Sequence, residues 1–292
     1  MIFQMKRHFF VLVLLFVARL AAAETIRLSL AEAIRNRVVS VRAISNGGFQ
    51  GKTTRVIMTN IKTQTVAIRI DVGTILKADS GGYQPMVLAG EELLVLQPSK
   101  TGEVLTETFC GNSPASCPSA GTTFAYAGIG SDTLVTVLRF IKANSLFDDL
   151  GQSAVWAITN NKSLSNIYDN NRPELARRLL DVICKATGRP MPDYYTINRP
   201  AEQIPNAPAY IPKPLKIIAT FRVALESPKN LTLGVFNEKG EMIQKVFEDQ
   251  SFPRSGHEFG VQFEAADVAP GKYFIRLKEG SVTMQEKAVI VE

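Results

Sequence analysis

Histidine is almost missing from this sequence, which has only His8 and His257 among its 292 residues. Catalysis by a Ser-His-Asp or Cys-His arrangement requires an imidazole, or another base of matched pKa, within hydrogen-bond reach of the nucleophile. His257 follows Gly256 in a turn that opens a predicted strand, so we interpret it as an exposed turn residue. We therefore expect no catalytic residue and no enzyme activity.

Runs of positive charge are also missing. The chain has 33 Lys and Arg against 27 Asp and Glu, a net charge of +6. Residues 1–23 contain three of the basic residues and no acid, so the remainder carries 30 against 27, or +3. So small an excess, without a basic run, lacks the electrostatic footprint of nucleic-acid binding. Nucleic acid is excluded as an expected partner.

Long apolar runs are confined to the N-terminus. The run Phe9–Ala18 follows two basic residues and precedes the small residues Ala21–Ala23, which is the layout of a cleavable signal peptide over residues 1–23. About 20 apolar residues are needed to cross a bilayer, and Arg19 interrupts this run. We expect an extracytoplasmic protein, in the periplasm, at the outer cell surface or secreted, with no transmembrane segment in its mature chain.

Cysteine is scarce, but the expected compartment permits disulfides. The segment from Cys110 to Cys117 is short and rich in turn-forming residues, whereas Cys184 lies on the apolar face of a predicted helix. We predict a disulfide between Cys110 and Cys117, with Cys184 as a buried free thiol. A zinc site is not expected, because three thiols at this spacing and one histidine do not supply closed tetrahedral ligation. No cofactor is predicted.

Alternation of apolar and polar residues between turn signals is the main pattern that is present. In residues 24–128 it predicts an immunoglobulin-like β-sandwich, preceded by a short helix that Ser29 and Glu32 cap. Clear examples of the alternating runs are Thr54–Thr59, Thr65–Ile70, Leu93–Leu96 and Glu103–Phe109.

The periodicity changes to a helical one in residues 129–188. Ser131 is placed as the N-cap of a first helix, and apolar stripes predict two more over Gln152–Thr159 and Pro173–Thr187, with Gly188 as the stop. A unit of this size is small for independent stability, so we expect it to pack on the preceding β-sandwich.

Residues 189–214 contain seven of the fifteen prolines, and this density predicts an extended linker. Beyond it, residues 215–292 alternate again and predict a second immunoglobulin-like sandwich. The expected fold is therefore mainly β with a small α unit, in which a helical unit and a Pro-rich linker separate two immunoglobulin-like β-sandwiches.

The C-terminal stretch resembles the immunoglobulin-like modules at the ends of secreted Bacteroidetes proteins, including the type IX secretion sorting domain. The resemblance implies either a structural module or an export address. Where sorting domains usually open with Asn-Pro, this chain has Lys213-Pro214. The matching segments are Leu233–Gly240, Gly256–His257, Pro270–Leu277 and Lys287–Val291.

The first part resembles an uncharacterised type of bacterial surface or periplasmic protein, a sandwich followed by a Gln-x-Ala-Val-Trp helix. That helix motif is also similar to the glutamine motif of thioester domains in surface adhesins, which implies a Cys110–Gln152 thioester. The cysteine side departs from those domains, because Gly111 stands where they have an aromatic residue. The segments that carry the first resemblance are Val56–Asn60, Gly73–Leu76, Thr108–Cys110 and Gln152–Thr159.

Two acidic pairs and the single tryptophan are the other candidates for chemistry. Glu91–Glu92 and Asp148–Asp149 are adjacent residues, which point to opposite faces of a strand, so we interpret both pairs as solvated turns and not as a glycosidase pair. Trp156 has the features of a sugar-stacking residue, but its apolar neighbours favour a core position.

We therefore expect an exported, non-enzymatic binding or structural protein of the cell envelope or surface, with an envelope or surface protein or a glycan as partner. The alternatives are a secreted cargo protein with a type IX sorting domain and a thioester-type adhesin.

Overall fold

The structure, a computed structural model, describes residues 25–199, 206–208 and 214–291. The predicted signal peptide lies outside these described residues. Strands dominate, which confirms the mainly β prediction. The strands are β1 Ile26–Ser29, β2 Val39–Ser45, β3 Gln50–Asn60, β4 Val66–Ile70, β5 Thr74–Ala78, β6 Met86–Leu88, β7 Glu92–Leu96, β8 Thr101–Cys110, β9 Thr123–Ile129, β10 Tyr194–Asn198, β11 Pro214–Ala224, β12 Lys229–Phe236, β13 Met242–Phe252, β14 Gly256–Glu264, β15 Gly271–Glu279 and β16 Val282–Val291. The helices are α1 Leu30–Arg35, α2 Asp132–Ala143, α3 Asp149–Thr159 and α4 Pro173–Thr187.

Six N-terminal strands form a closed antiparallel barrel in the order β2-β3-β8-β6-β5-β9, where the alternation predicted an immunoglobulin-like sandwich. Alternation fixes which face of a strand is buried, but it leaves open which edges join. The barrel closes where Ala43 and Ile44 of β2 pair with β9. The pairing register shifts between Lys52 and Thr54 of β3 and between Tyr126 and Gly128 of β9. Such irregularities bend a strand, and this bending helps the sheet to close into a barrel.

A smaller sheet, β1-β4-β7, lies beside the barrel, with β1 parallel to β4. Helix α1 follows β1 directly and confirms the predicted capping box. The Ser29 hydroxyl accepts a hydrogen bond from the Glu32 amide at 3.2 Å, and the Glu32 carboxylate accepts one from the Ser29 amide at 2.8 Å. The sheet and α1 share one apolar core with the barrel.

The three predicted helices are present between β9 and β10. Ser131 caps α2, α4 spans the predicted range, and Gly188 ends α4 in the left-handed region at φ 70°. Helix α3 begins earlier than predicted, at Asp149, behind the N-cap Asp148. Their buried residues form one core with barrel residues that include Val87 and Phe109, so the helices pack on the barrel.

Helix α3 approaches the barrel closely because Gly151 has no side chain. A Cβ at this position would lie 2.0 Å from the carbonyl oxygen of Leu146 and 2.8 Å from Cζ of Phe109. Since a main-chain carbonyl has little room to move, the approach of α3 to strand β8 depends on this glycine.

The predicted linker is only partly a spacer, because its segment Tyr194–Asn198 forms strand β10 and pairs with β11. This segment lies between Pro192 and Pro200 and is itself free of proline, so its main chain keeps the donors that a ladder needs. Further along, Asn206 and Ala207 return to the barrel and hydrogen-bond the main chain of Cys117, at 3.3 and 2.8 Å.

The C-terminal residues form two facing sheets, β10-β11-β14 and β13-β12-β15-β16. Side chains of both sheets fill one core, among them Phe221 and Phe263 from the first and Leu233, Ile275 and Val289 from the second. The alternation of residues 215–292 corresponds to the six strands β11–β16, and the linker adds β10 as a seventh. Within the described part of the chain, no helix is long and apolar enough to cross a membrane.

Candidate functional site

The predicted cysteine pair is brought together at the end of β8. Cys110 and Cys117 are both buried free thiols that lie close enough for each to influence the pKa of the other, while the Cys110 thiol donates a hydrogen bond to Sδ of Met86 at 3.8 Å. Burial raises the pKa of Cys110 well above its usual value, whereas the neighbouring Cys110 thiol lowers the pKa of Cys117. Disulfide formation therefore needs no long-range rearrangement, and the bond itself stays a prediction.

Cys184 lies elsewhere, half-buried on α4 against the helical core. Burial raises the pKa of its thiol, which makes it less reactive than an exposed cysteine. The structure thus separates Cys184 from the two cysteines that share the barrel core.

Gln152, on helix α3, holds the main chain of Cys110. Its Nε2 donates to the Cys110 carbonyl oxygen at 2.9 Å, and its Oε1 accepts from the Cys110 amide at 3.0 Å. The same amide also donates to the carbonyl oxygen of Phe49 at 2.8 Å. Because Gln152 is only 1% exposed, these bonds lie away from water. The structure therefore joins the two residues that the thioester resemblance names, through main-chain hydrogen bonds.

A cleft of about 460 Å³ opens beside this helix. The cleft has three walls, which are the start of β3, the first two turns of α3, and the segment from the 3₁₀ turn Leu164–Asn166 to Arg172 together with the end of β10. This volume falls within the range of roughly 300–1,000 Å³ that is typical of small-molecule sites.

An ion network fixes one wall of the cleft. Arg172 donates from Nη2 to Oδ2 of Asp148 at 2.7 Å and from Nε to Oδ2 of Asp169 at 2.6 Å. Burial raises the pKa of Asp169, but hydrogen bonds from Arg172 and from the Asn171 amide outweigh it, so this pKa lies below its usual value. The hydrogen bond to Asp148 raises the pKa of Arg172. The network therefore ties the turn before α4 to the N-cap of α3.

Side-chain amides make up much of the remaining lining. Asn166 accepts from Nδ2 of Asn198 at 3.2 Å, while Asn170 and Asn171 are exposed at the rim. Gln50 donates from Nε2 to Asp149 at 2.8 Å. Apart from Asp149, none of these residues was a candidate from the sequence, because they come from four separated segments. The polar run from Asn166 to Arg172 was the one local signal.

Both acidic pairs differ at least in part from the prediction of a solvated turn. Glu91 lies in a loop and pairs with Lys142 at 3.1 Å, at the surface, whereas Glu92 begins strand β7. Asp148 and Asp149, predicted as a solvated turn, instead begin helix α3, where Asp148 accepts from the amide of Leu150 at 3.1 Å. The physical reason is that an aspartate at the N-cap satisfies a free amide of the first turn.

Trp156 is 4% exposed and stacks on Phe49, with ring centroids 6.2 Å apart, so the core position is confirmed. It is also one of the residues that line the cleft.

His257 is the second residue of β14 and is half-buried, with its ring in contact with those of Phe252 and Phe259, which differs from the exposed turn residue that was predicted. The described residues contain no group of three or more His, Cys, Asp or Glu side chains that is placed to hold a metal ion.

No protein-family model and no curated protein matches this chain. Among solved structures it is similar to a β-glucosidase from Kluyveromyces marxianus, in a complex with glucose and in a selenomethionine-labelled form. The identities are 9% and 10%, the TM-score is 0.20 for both, and 82% of this chain is covered. The chain spans less than half of those structures, 45% and 44% of their lengths. A likeness this weak carries no argument about fold or function.

Proposed function

We propose that this protein is an exported, non-enzymatic binding protein of the cell envelope or surface, and that it binds through the cleft beside α3. The single observation that carries the proposal is a cleft of about 460 Å³ whose polar walls are fixed by an ion network. A site held in shape before binding loses little conformational entropy when a ligand enters. Its polar groups supply the orientation and specificity that small-molecule sites need.

A cleft-blocking variant tests this function. Ser153 is half-buried on α3 and lines the cleft, so Ser153→Trp should fill part of the space. Ser251→Trp, at an exposed position on β13, is the matched control. The immobilised mature chain should retain a component of cell-envelope extract, and Ser153→Trp alone should abolish this retention. Equal retention by the unmodified mature chain, Ser153→Trp and Ser251→Trp would contradict a role for the cleft.

Extracytoplasmic location is part of the same proposal and is tested separately. Cell fractionation with surface proteolysis should find the mature chain, beginning at Glu24, outside the cytoplasm. A cytoplasmic chain that keeps residues 1–23 would contradict export.

We further propose that the C-terminal unit is an immunoglobulin-like module, and its two facing sheets around one core support this. If the protein is a binding protein, this module positions the part that bears the cleft. If the protein is a secreted cargo of the sorting type, the module is its export address. Deletion of residues 215–292 separates the two roles. An unchanged location of the truncated chain supports the structural role, and its retention in the periplasm supports the export address.

A thioester-type adhesin is the second candidate, because the Gln152 carboxamide contacts Cys110. In the reaction, the Cys110 sulfur bonds to Cδ of Gln152, the C–N bond breaks, and ammonia leaves with the thiol proton. The hydrogen bond from the Cys110 amide to Oε1 polarises the carbonyl that would be attacked. The intact mass decides the matter, since a thioester lowers it by one ammonia and a disulfide by two hydrogens. Cys110 can take part in only one of these bonds.

A further inference from the structure

We propose that the cleft beside α3 takes a neutral saccharide, which its side-chain amides and carboxylates recognise by hydrogen bonds. This inference rests on the proposed binding function, for which it names the ligand class. It is carried by the charge balance of the cleft, by its hydrogen-bonding groups and by the covered edge of β10.

The charges of the cleft nearly cancel. Asp148 and Asp169 share the guanidinium of Arg172, while Asp149 and Arg199 are exposed and of opposite sign. Three acidic groups and two basic ones give no strong field of either sign. An anionic ligand would meet carboxylates on two walls, and a cationic ligand would compete with an arginine that is already bound. A ligand without net charge fits this balance best.

The hydrogen-bonding groups that remain suit hydroxyls. Asn170 and Asn171 line the rim, and each side-chain amide offers donors and an acceptor together, as a sugar hydroxyl requires of its partners. Asn198 uses Nδ2 on Asn166 and has its carbonyl oxygen as a further acceptor.

A peptide is the main competing ligand, since extended peptides bind by adding a strand to a free sheet edge. Strand β10 forms a wall of the cleft and is an edge strand of its sheet. However, the 3₁₀ turn Leu164–Asn166 packs against β10, and Asn166 bonds to Asn198 at its end. The 3₁₀ turn therefore lies beside the edge along which an added strand would have to pair, so recognition falls to side chains.

The experiment uses the full mature chain and an immobilised panel of neutral di- and trisaccharides, among them maltotriose, cellotriose and chitobiose. Sialyllactose and a heparin disaccharide serve as anionic probes, and a Gly-Ser-Ala hexapeptide serves as the peptide probe. Asn171→Ala should weaken the binding of the best neutral sugar about tenfold, the effect of losing one hydrogen bond to the ligand. Ser153→Trp should abolish it. The matched control, Asn230→Ala on the exposed face of β12, should leave it unchanged.

Binding of anionic probes alone, of the peptide alone, or of neutral sugars equally by Ser153→Trp would overturn the inference, as would an empty panel. The proposed function fails separately. If Ser153→Trp abolishes retention of an envelope component while no neutral saccharide binds, the cleft is a binding site for another ligand class. If Ser153→Trp affects neither measurement, both proposals are wrong.

Discussion

Oxidation of Cys110 and Cys117 should stabilise the N-terminal barrel and its helices, by an amount that follows from the loop the bond would close. The two cysteines end a segment of eight residues, positions 110 to 117. In the chain-entropy description of disulfides, a closed loop of this length removes denatured-state entropy equivalent to about 2.5 kcal/mol at 25 °C. We expect native-state strain to offset little of this, because both thiols are buried in the same core and lie close enough to shift each other's pKa.

The measurement is thermal unfolding followed by circular dichroism. Because both thiols are buried, the reduced form should be prepared by unfolding in reductant and refolding. For a unit of this size, about 2.5 kcal/mol corresponds to a midpoint roughly 5–10 °C lower in the reduced protein. Cys184→Ala should keep this difference, and Cys117→Ala should remove it.

Two results would refute the reasoning. One is an oxidised wild type with the same midpoint as the reduced form, which would mean that the bond does not form or that strain cancels its effect. The other is a non-reducing peptide map that links Cys184 to Cys110 or Cys117. That map would contradict the separation of Cys184 from the barrel core.

Three further changes test the contacts around the site by urea unfolding. Gln152→Met should lower the free energy of unfolding by about 2 kcal/mol, since two buried hydrogen bonds are lost, while Gln64→Met at an exposed position should change it by less than about 0.5 kcal/mol. Gly151→Ala should cost more than about 3 kcal/mol, because its Cβ would lie 2.0 Å from a carbonyl oxygen, whereas Gly81→Ala has open space; equal effects would refute the close approach of α3. The pKa of Asp169 is lowered by folding, so its contribution is present above the unfolded-state pKa and is lost as pH falls through the folded one. Asp169→Asn should therefore reduce the acid dependence of stability, and an unchanged pH profile would contradict the ion network.

The helices and caps were predictable from the sequence because their signals lie within a few residues of one another. Ser29 and Glu32 satisfy each other's amides, Ser131 begins α2, and Gly188 ends α4 where a left-handed residue is needed. The individual strands were predictable for the same reason, since a period of two marks a half-buried strand. The assembly of those strands was not, because the pattern that predicted a sandwich also fits a closed barrel.

The candidate site divides in the same way. Cys110 and Cys117 are seven positions apart, and the turn formers between them predicted their proximity. Gln152 was named through a resemblance, and the structure shows its contact with Cys110. The cleft had only the polar run from Asn166 to Arg172 as a local signal, because the partner of Arg172 on α3, Asp148, and the partner of Gln50, Asp149, are distant in sequence.

By itself, therefore, the sequence determined the positions of the helices, the faces that the strands bury and the nearness of two cysteines, all of which depend on residues close together in the chain. Only the tertiary structure decided that the N-terminal strands close into a barrel, that part of the linker becomes β10, and that a polar cleft forms beside α3. These features depend on contacts between residues tens of positions apart, such as the bond of Gln50 to Asp149. The physical reason is that local propensity and periodicity act over a few residues, whereas edge pairing and cleft formation are settled by which distant surfaces pack together.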